Sequence, residues 1–451
     1  MDRTINLSGP EDIMYNGKLV LALQILLFIA FTALCEHNAV PPVEGNGSYA
    51  NPYRIENLSN LRWLSEDSTL WKYHFVQVTD INAAETRYWN DGAGFSPIGN
   101  ENVQFTGSYN GKGHRIDSLF INRSDLENVG LFGNVNGVSD SSRIDSLGVT
   151  NAEISGKTYV GVLAGGVAGF TISISYSSGK VSGEEYVGGL IGDFASGKVE
   201  ECFSSCHVLA SVWEAGGLIG HNYDSNIFNC YSNGIVEGGK KIGGLIGLNI
   251  NCTLGDCYSV SRVSGDSGIG GLVGLNKFTV TYSCFWDMEI CGDLSADVTG
   301  KSTAQMKSLQ TYIDAGWNFM KERINGTGGV WGINSVVNDG YPFLAWQGYE
   351  MEYASIFNNQ GKMASDALGT APLIRTFAGS NRITFSRLPV DQHIRLRVFT
   401  VSGRKVIEVI KKVHKGTVEL NINCLSHGSY IVELYCDKVF KPSVKTIYVS
   451  R

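Results

Sequence analysis

The chain reads as an all-β protein: a parallel β-helix of about seven turns of 27–28 residues, followed by a small antiparallel β-sandwich. Three observations predict this. A glycine-rich corner recurs at a nearly constant interval, a column of cysteines keeps the same interval, and residues 374–451 alternate apolar and polar between turn signals.

The corner is clearest in "YVGGLIGDF", "AGGLIGHN", "IGGLIGLN" and "IGGLVGLN", with degenerate copies "VGVLAG" and "VGLFG" upstream. The aligned positions are 129, 160, 187, 215, 242 and 269, at intervals of 31, 27, 28, 27 and 27. Its glycines are Gly188, Gly189 and Gly192, then Gly216, Gly217 and Gly220, then Gly243, Gly244 and Gly247, and finally Gly270, Gly271 and Gly274. A glycine-rich phosphate loop is used once, between a strand and a helix whose N-terminus receives the anion. Six copies at one period, none followed by a helical pattern, describe a corner repeated along a solenoid.

Cys202, Cys230, Cys257 and Cys284 give the second register, at intervals of 28, 27 and 27, and Ser175, Leu147 and Leu119 extend it upstream at 27, 28 and 28. These repeats are rich in Gly, Ser, Val, Ile and Tyr, with short apolar runs, which is strand chemistry rather than a 3.6-residue stripe. Such runs suit parallel strands buried on at least one face. About three strands per turn and roughly 4.8 Å between turns give a rod about 29 Å long. The cysteines behave as small core hydrophobes. In-register neighbours point in parallel, which is poor disulfide geometry, so they are expected to be reduced. Asn222, Asn249 and Asn276 follow the corner at one offset, with Phe194 breaking the series, and their amides are expected to point inward and bond along the axis.

Composition excludes several function classes. The 451 residues hold 55 Gly, 9 Pro and 10 Cys, with a formal net charge of −7. No basic stripe is present to neutralise phosphates, so nucleic acid is not an expected partner. No CxxC pair or histidine cluster supports a metal site, and no cofactor is expected. Near the N-terminus, Lys18 precedes the apolar run Leu19–Leu34, too short for a membrane span and suited to a secretory signal over residues 1–35, with Met14 a possible true start. A cleaved signal leaves no spanning segment; lipidation of Cys35 is the alternative, though Leu34 stands where a small residue is usual.

The stretch "YVGGLIG…NCYSNGIVEGG" resembles the GLUG motif of bacterial surface proteins, and the resemblance runs over about residues 45–346, through "WNDGAGFSPIGNENVQFTGSYNGKGHRIDSLFINR" and "CFWDMEICG". It implies a right-handed β-helix displayed outside the cell, often adhesin-like, with no activity of its own. The domain reading is an N-terminal cap with first turns at 36–115, the repeat at 116–290, a C-terminal cap at 291–350 and a polar linker at 351–373. "TGKST" at 299–303 lacks the Walker glycine, since Ser295 stands in its place, so Ser302 or Thr303 is expected to cap a short helix. The final segment, 374–451, resembles the type A sorting domain of type IX secretion found in Bacteroidetes. The matching positions are Gly403 and Arg404 in "VFTVSGRKV", Gly428 and Tyr430 in "LSHGSYIVEL", and Lys445. This implies secretion machinery as a partner and an extracellular or outer-surface location.

For function, a non-catalytic binding rod is weighed against a polysaccharide-degrading β-helix enzyme and a passive spacer. Exposed aromatics near turns, Tyr159, Tyr186, Trp213 and Tyr223, are candidate contacts for glycans or extracellular matrix, or simply rim residues covering corner glycines. A hydrolase needs two carboxylates about 5 to 10 Å apart. Glu201 and Asp256 precede the cysteine column two turns apart, roughly 10 Å by strand spacing, which permits such a pair but equally suits a solvated turn. Lys180, His207, Ile235 and Arg262 form an outward column, and His114 lies in a turn. No residue is assigned a catalytic role.

Overall fold

The computed structural model describes residues 38–349, apart from position 140 and the segments 293–298 and 321–328, together with seven strands between Leu373 and Val449. The chain divides into two compact units, Met1–Glu350 and Met351–Arg451.

The first unit is a parallel β-solenoid. One turn runs through Lys198–Glu200, Phe203–Gly216 and Ile219–Tyr223, each on a different sheet. Among the described residues the three parallel sheets hold nine, fourteen and six strands, so about six turns visit all three. Val129, Val160, Val187, Ala215, Ile242 and Ile269 stack in direct register, as the glycine corner predicts. Leu147 follows the cysteine register, because Gly148 pairs with Tyr176. Leu119 does not. Gly148 pairs with Arg115 and Glu153 with Phe120, which puts Leu119 beside Ala152 instead. The early turns are longer than the later ones, and constant-period counting fails there.

The glycine pair turns the chain from the fourteen-stranded sheet into the six-stranded one, in two residues. A Cβ on Gly244 would lie 2.1 Å from the Gly271 carbonyl oxygen of the next turn and 2.2 Å from Ser259 Oγ. Contact with neighbouring backbone, not a special φ, demands glycine there. The left-handed bends fall elsewhere, in columns of their own. One comprises Ser146, Ile174, Glu201, Asn229, Asp256 and Ser283, all with φ between 51° and 55°. Another comprises Asn128, Tyr159, Tyr186, Glu214 and Lys241, and a third Ser196, Asp224, Asn251 and Phe278. Asn, Asp and Ser at many of these positions are the residues that tolerate this conformation best.

The interior is filled by columns of like residues. Cys202, Cys230 and Cys257 have no solvent exposure and Cys284 almost none; all four are free thiols. Each Sγ lies 3.1–3.2 Å from the carbonyl oxygen two residues earlier. Burial pushes the thiols of Cys202 and Cys257 well up. At the N-terminal side a helix, Leu58–Glu66, buries Leu58, Leu61 and Leu64. Its N-cap Asn57 accepts from the Asn60 backbone N–H. Among the described residues no helix is long and apolar enough to cross a membrane.

After the last turn, Ser302 caps the helix Thr303–Met306 through a reciprocal bond with Gln305, so "TGKST" closes a strand and opens a helix. The chain then returns along one flank of the solenoid as a strap, within which Trp331–Gly332 and Phe343–Leu344 pair antiparallel. The strands Val273–Lys277 and Val280–Tyr282 end their sheets among the described residues, with Phe278 88% exposed beside them.

The second unit contains two antiparallel sheets, of three and four strands, as the alternating pattern predicts. Gly428 and Tyr430 open the strand Gly428–Cys436, and Lys445 pairs opposite Val432. Gly403 and Arg404 lie outside the described residues, as do residues 1–37 with the expected signal and Cys35.

Candidate functional site

The repeat places side chains in columns, so a site on this rod is a set of columns on one flank. The residue after each column cysteine points outward, because alternate strand residues face opposite sides. Tyr176, Phe203, Tyr231 and Tyr258 therefore form an aromatic ladder, with ring centroids 5.1, 4.9 and 5.0 Å apart and planes within 11° of parallel.

The strap covers this ladder with three tryptophans. Trp317 donates from Nε1 to the Ser283 carbonyl (2.8 Å), Trp331 to Asn229 Oδ1 (3.0 Å) and Trp346 to the Glu201 carbonyl (3.0 Å). All three acceptors belong to one left-handed bend column. Asn338 reaches the Tyr258 hydroxyl from the strap at 2.8 Å, and the Tyr231 hydroxyl donates to Gln347 Oε1 at 3.3 Å. Glu201 and Asp256 are both partly buried on this flank. They lie two turns apart with Asn229 between them, its amide oxygen taken by Trp331. Burial raises both carboxyls, that of Asp256 to about 6.

A second flank carries the residues singled out in the sequence. Tyr159 and Tyr186 stack at 4.9 Å and 15°, so each ring covers a face of the other and presents its edge to solvent. His221 lies 5.4 Å from the Tyr186 ring and pairs through Nδ1 with Asp193 Oδ1 at 2.6 Å. One turn on, Glu214 is almost wholly buried and its Oε1 accepts from Lys241 Nζ at 2.6 Å. Burial, then the charge of Glu214, pushes the Tyr186 hydroxyl up to about 12. Trp213 is 37% exposed, but Lys240 and Lys241 sit 5.2 and 4.8 Å from its ring centroid and occupy it as a cation–π partner. Tyr223 stands apart on the six-stranded sheet, between Ala195 and Ile250, and is 40% exposed. Three of the four aromatics therefore gather near Glu214; the fourth does not join them. Lys180, His207, Ile235 and Arg262 stack outward in register, and His207 pairs with Glu237 at 3.1 Å. Among the described residues, no group of three or more His, Cys, Asp or Glu is placed to hold a metal.

Residues 211–237 match the model of the GLUG motif. Over 126 residues, 27% of this chain, the sequence is 37% identical to halomucin of Haloquadratum walsbyi, of which that stretch covers 1%. Over 94 residues, 20% of the chain, it is 44% identical to a putative Gly-rich membrane protein of Evansella cellulosilytica, covering 10% of that protein. The chain thus spans a small fraction of the relatives it matches.

Proposed function

We propose that this is a non-catalytic protein of the cell surface or the extracellular space, whose solenoid binds glycans or matrix polymers. One observation carries the reading. The polar groups on its flanks are paired with one another in successive turns, as in Asp193–His221, Glu214–Lys241 and His207–Glu237, and form an array rather than converging on one reacting point. A long regular face on which weak contacts add is what such an array offers a repeating polymer. The relative described as a membrane protein supports a place at the cell envelope.

Export belongs to the same reading. The leader at residues 1–35 carries the chain across an inner membrane, and the C-terminal unit, through Gly403, Arg404, Gly428, Tyr430 and Lys445, addresses it to type IX secretion machinery. Fractionation of cells expressing the full chain and a chain lacking residues 376–451, followed by retention of the secreted protein on insoluble polysaccharides, tests both halves. Full-length protein outside the cell and bound to polymer is the expected result. Reducing-end release from the polymer would instead make it an enzyme.

A further inference from the structure

The aromatic ladder stops abruptly. Tyr258, Tyr231, Phe203 and Tyr176 occupy successive turns, and at the next turn the register partner of Tyr176 is Gly148. A Cβ at Gly148 would fall 2.4 Å from Tyr176 Cζ, so only glycine seats the last ring. Tyr176 leans over this glycine as the last ring of the column, and a recess of about 270 Å³ opens beside Tyr176 and Phe203. Its walls are Tyr176 and Phe203 from the ladder, Trp346 and Tyr349 from the strap, with Ser146 and Gln347 on the polar side.

Trp346 stands 5.8 Å from the Tyr176 ring and 5.9 Å from Phe203, held by its bond to the Glu201 carbonyl. Tyr349 is 49% exposed and braced edge-on against Phe343 at 5.5 Å. Gln347 is fixed through Oε1, which accepts from the Leu344 backbone N–H at 2.7 Å, leaving its Nε2 uncommitted among the described residues. Ser146 and Gly113 complete the lining on the side away from the strap. Apolar ring faces inside and hydroxyl-binding groups outside match the two-sided chemistry of a pyranose. The volume is just below the roughly 300 Å³ at which small-molecule sites begin, which limits it to about one ring.

We infer that this recess is a subsite for one uncharged hexopyranose of a glycan chain, stacked beside the last rings of the ladder, between Tyr176 and Trp346. The inference rests on the glycan-binding reading and gives it a place. The sugar's apolar face lies against the Tyr176–Trp346 corner, and its hydroxyls meet Ser146, Gln347 and the Tyr349 hydroxyl. An aromatic peptide side chain could use the same ring faces but would leave the polar rim unpaired, which costs affinity.

Calorimetric titration of the full chain with tetrasaccharides of glucose, mannose and galactose tests this. Tyr349→Ala removes an exposed wall, and Gly113→Asn narrows the mouth at a position where a Cβ meets nothing within 4 Å and φ is +81°, which asparagine tolerates. At least one tetrasaccharide should bind saturably, weakened about tenfold or more by either change, the scale of a lost aromatic contact with its paired hydroxyl. Tyr223→Ala should leave it unchanged. Equal binding by all three variants would overturn the recess while leaving the glycan reading in place. Retention on insoluble polysaccharide with no tetrasaccharide bound would likewise remove the subsite alone, whereas silence in both assays removes the reading as well. Binding of tryptophan amide, competed by no sugar, would overturn the inference in favour of a peptide.

Discussion

Asn222 and Asn249, one turn apart and wholly buried, are joined by a 2.7 Å hydrogen bond from Nδ2 of the first to Oδ1 of the second. Asn249 passes the contact on to Asn276 at 3.0 Å, and Ser225 donates its hydroxyl to Asn222 Oδ1. Amides stacked this way satisfy each other only while the series is unbroken. Phe194, buried in the same column, fills the preceding turn with apolar bulk instead.

Asn249→Leu interrupts the series in the middle. It leaves the Asn222 donor and the Asn276 acceptor without a partner inside the rod. Stability should fall by about 1–3 kcal/mol, the cost of stranding buried polar groups. A chemical denaturation midpoint unchanged from wild type would show that the two neighbours find other partners.

Gly244→Val tests the corner. Its Cβ would come within 2.1 Å of backbone that is itself held in the next turn, so the turn spacing must open. The loss should be well over 1 kcal/mol. Addition of ATP or GTP should not restore the melting midpoint, because the corner joins two strands and presents no helix N-terminus.

Trp331→Ala removes the centre of the strap. The side chain is fully buried, packs against Tyr231 and Tyr258 at 6.2 and 5.9 Å, and donates to Asn229. Truncating a buried tryptophan costs about 3–5 kcal/mol. Trp331→Phe should recover part of this and isolate the indole hydrogen bond. Limited proteolysis should then cut within 317–349 before it cuts the repeat, since the strap is held by these contacts rather than by the sheet ladders.

The repeat itself was legible because identical stacking environments select similar residues: Val187, Ala215 and Ile242 share one register and one burial, and Ile269 stacks on them in the same register. The ladder left a signal too, an aromatic directly after each column cysteine, as at Phe203, Tyr231 and Tyr258. What covers it was not legible. Trp317, Trp331 and Trp346 lie outside the period, and the distance from Trp346 to Glu201 is 145 residues in sequence. No local rule links such positions. The same holds for Trp213, which looks available in sequence until Lys240 and Lys241 are seen over its ring. Tyr159 and Tyr186 are likewise adjacent only because a turn of 27 residues returns the chain to the same corner.

Asp256 supplies the pH dependence. It sits at a left-handed bend against the strapped flank, and burial lifts its carboxyl from 3.8 to about 6. The folded state therefore binds this proton more tightly than the unfolded chain does. Above about pH 6 the carboxylate is ionised in both states, and its desolvation weakens the fold by a constant amount. As the pH falls from about 6 toward 4, the folded protein takes up the proton first and that penalty is relieved. A shift of two units corresponds to nearly 3 kcal/mol for a fully shielded group. Asp256 is only partly buried and solvent still screens it, so about 1 kcal/mol is the expected size. Asp256→Asn removes the charge and keeps the shape. At about pH 8 it should be more stable than wild type by that amount, and by about pH 4 the two should converge. Denaturation curves for both proteins across this range decide the point: a difference that does not vary with pH would mean that Asp256 titrates as an ordinary solvated carboxylate.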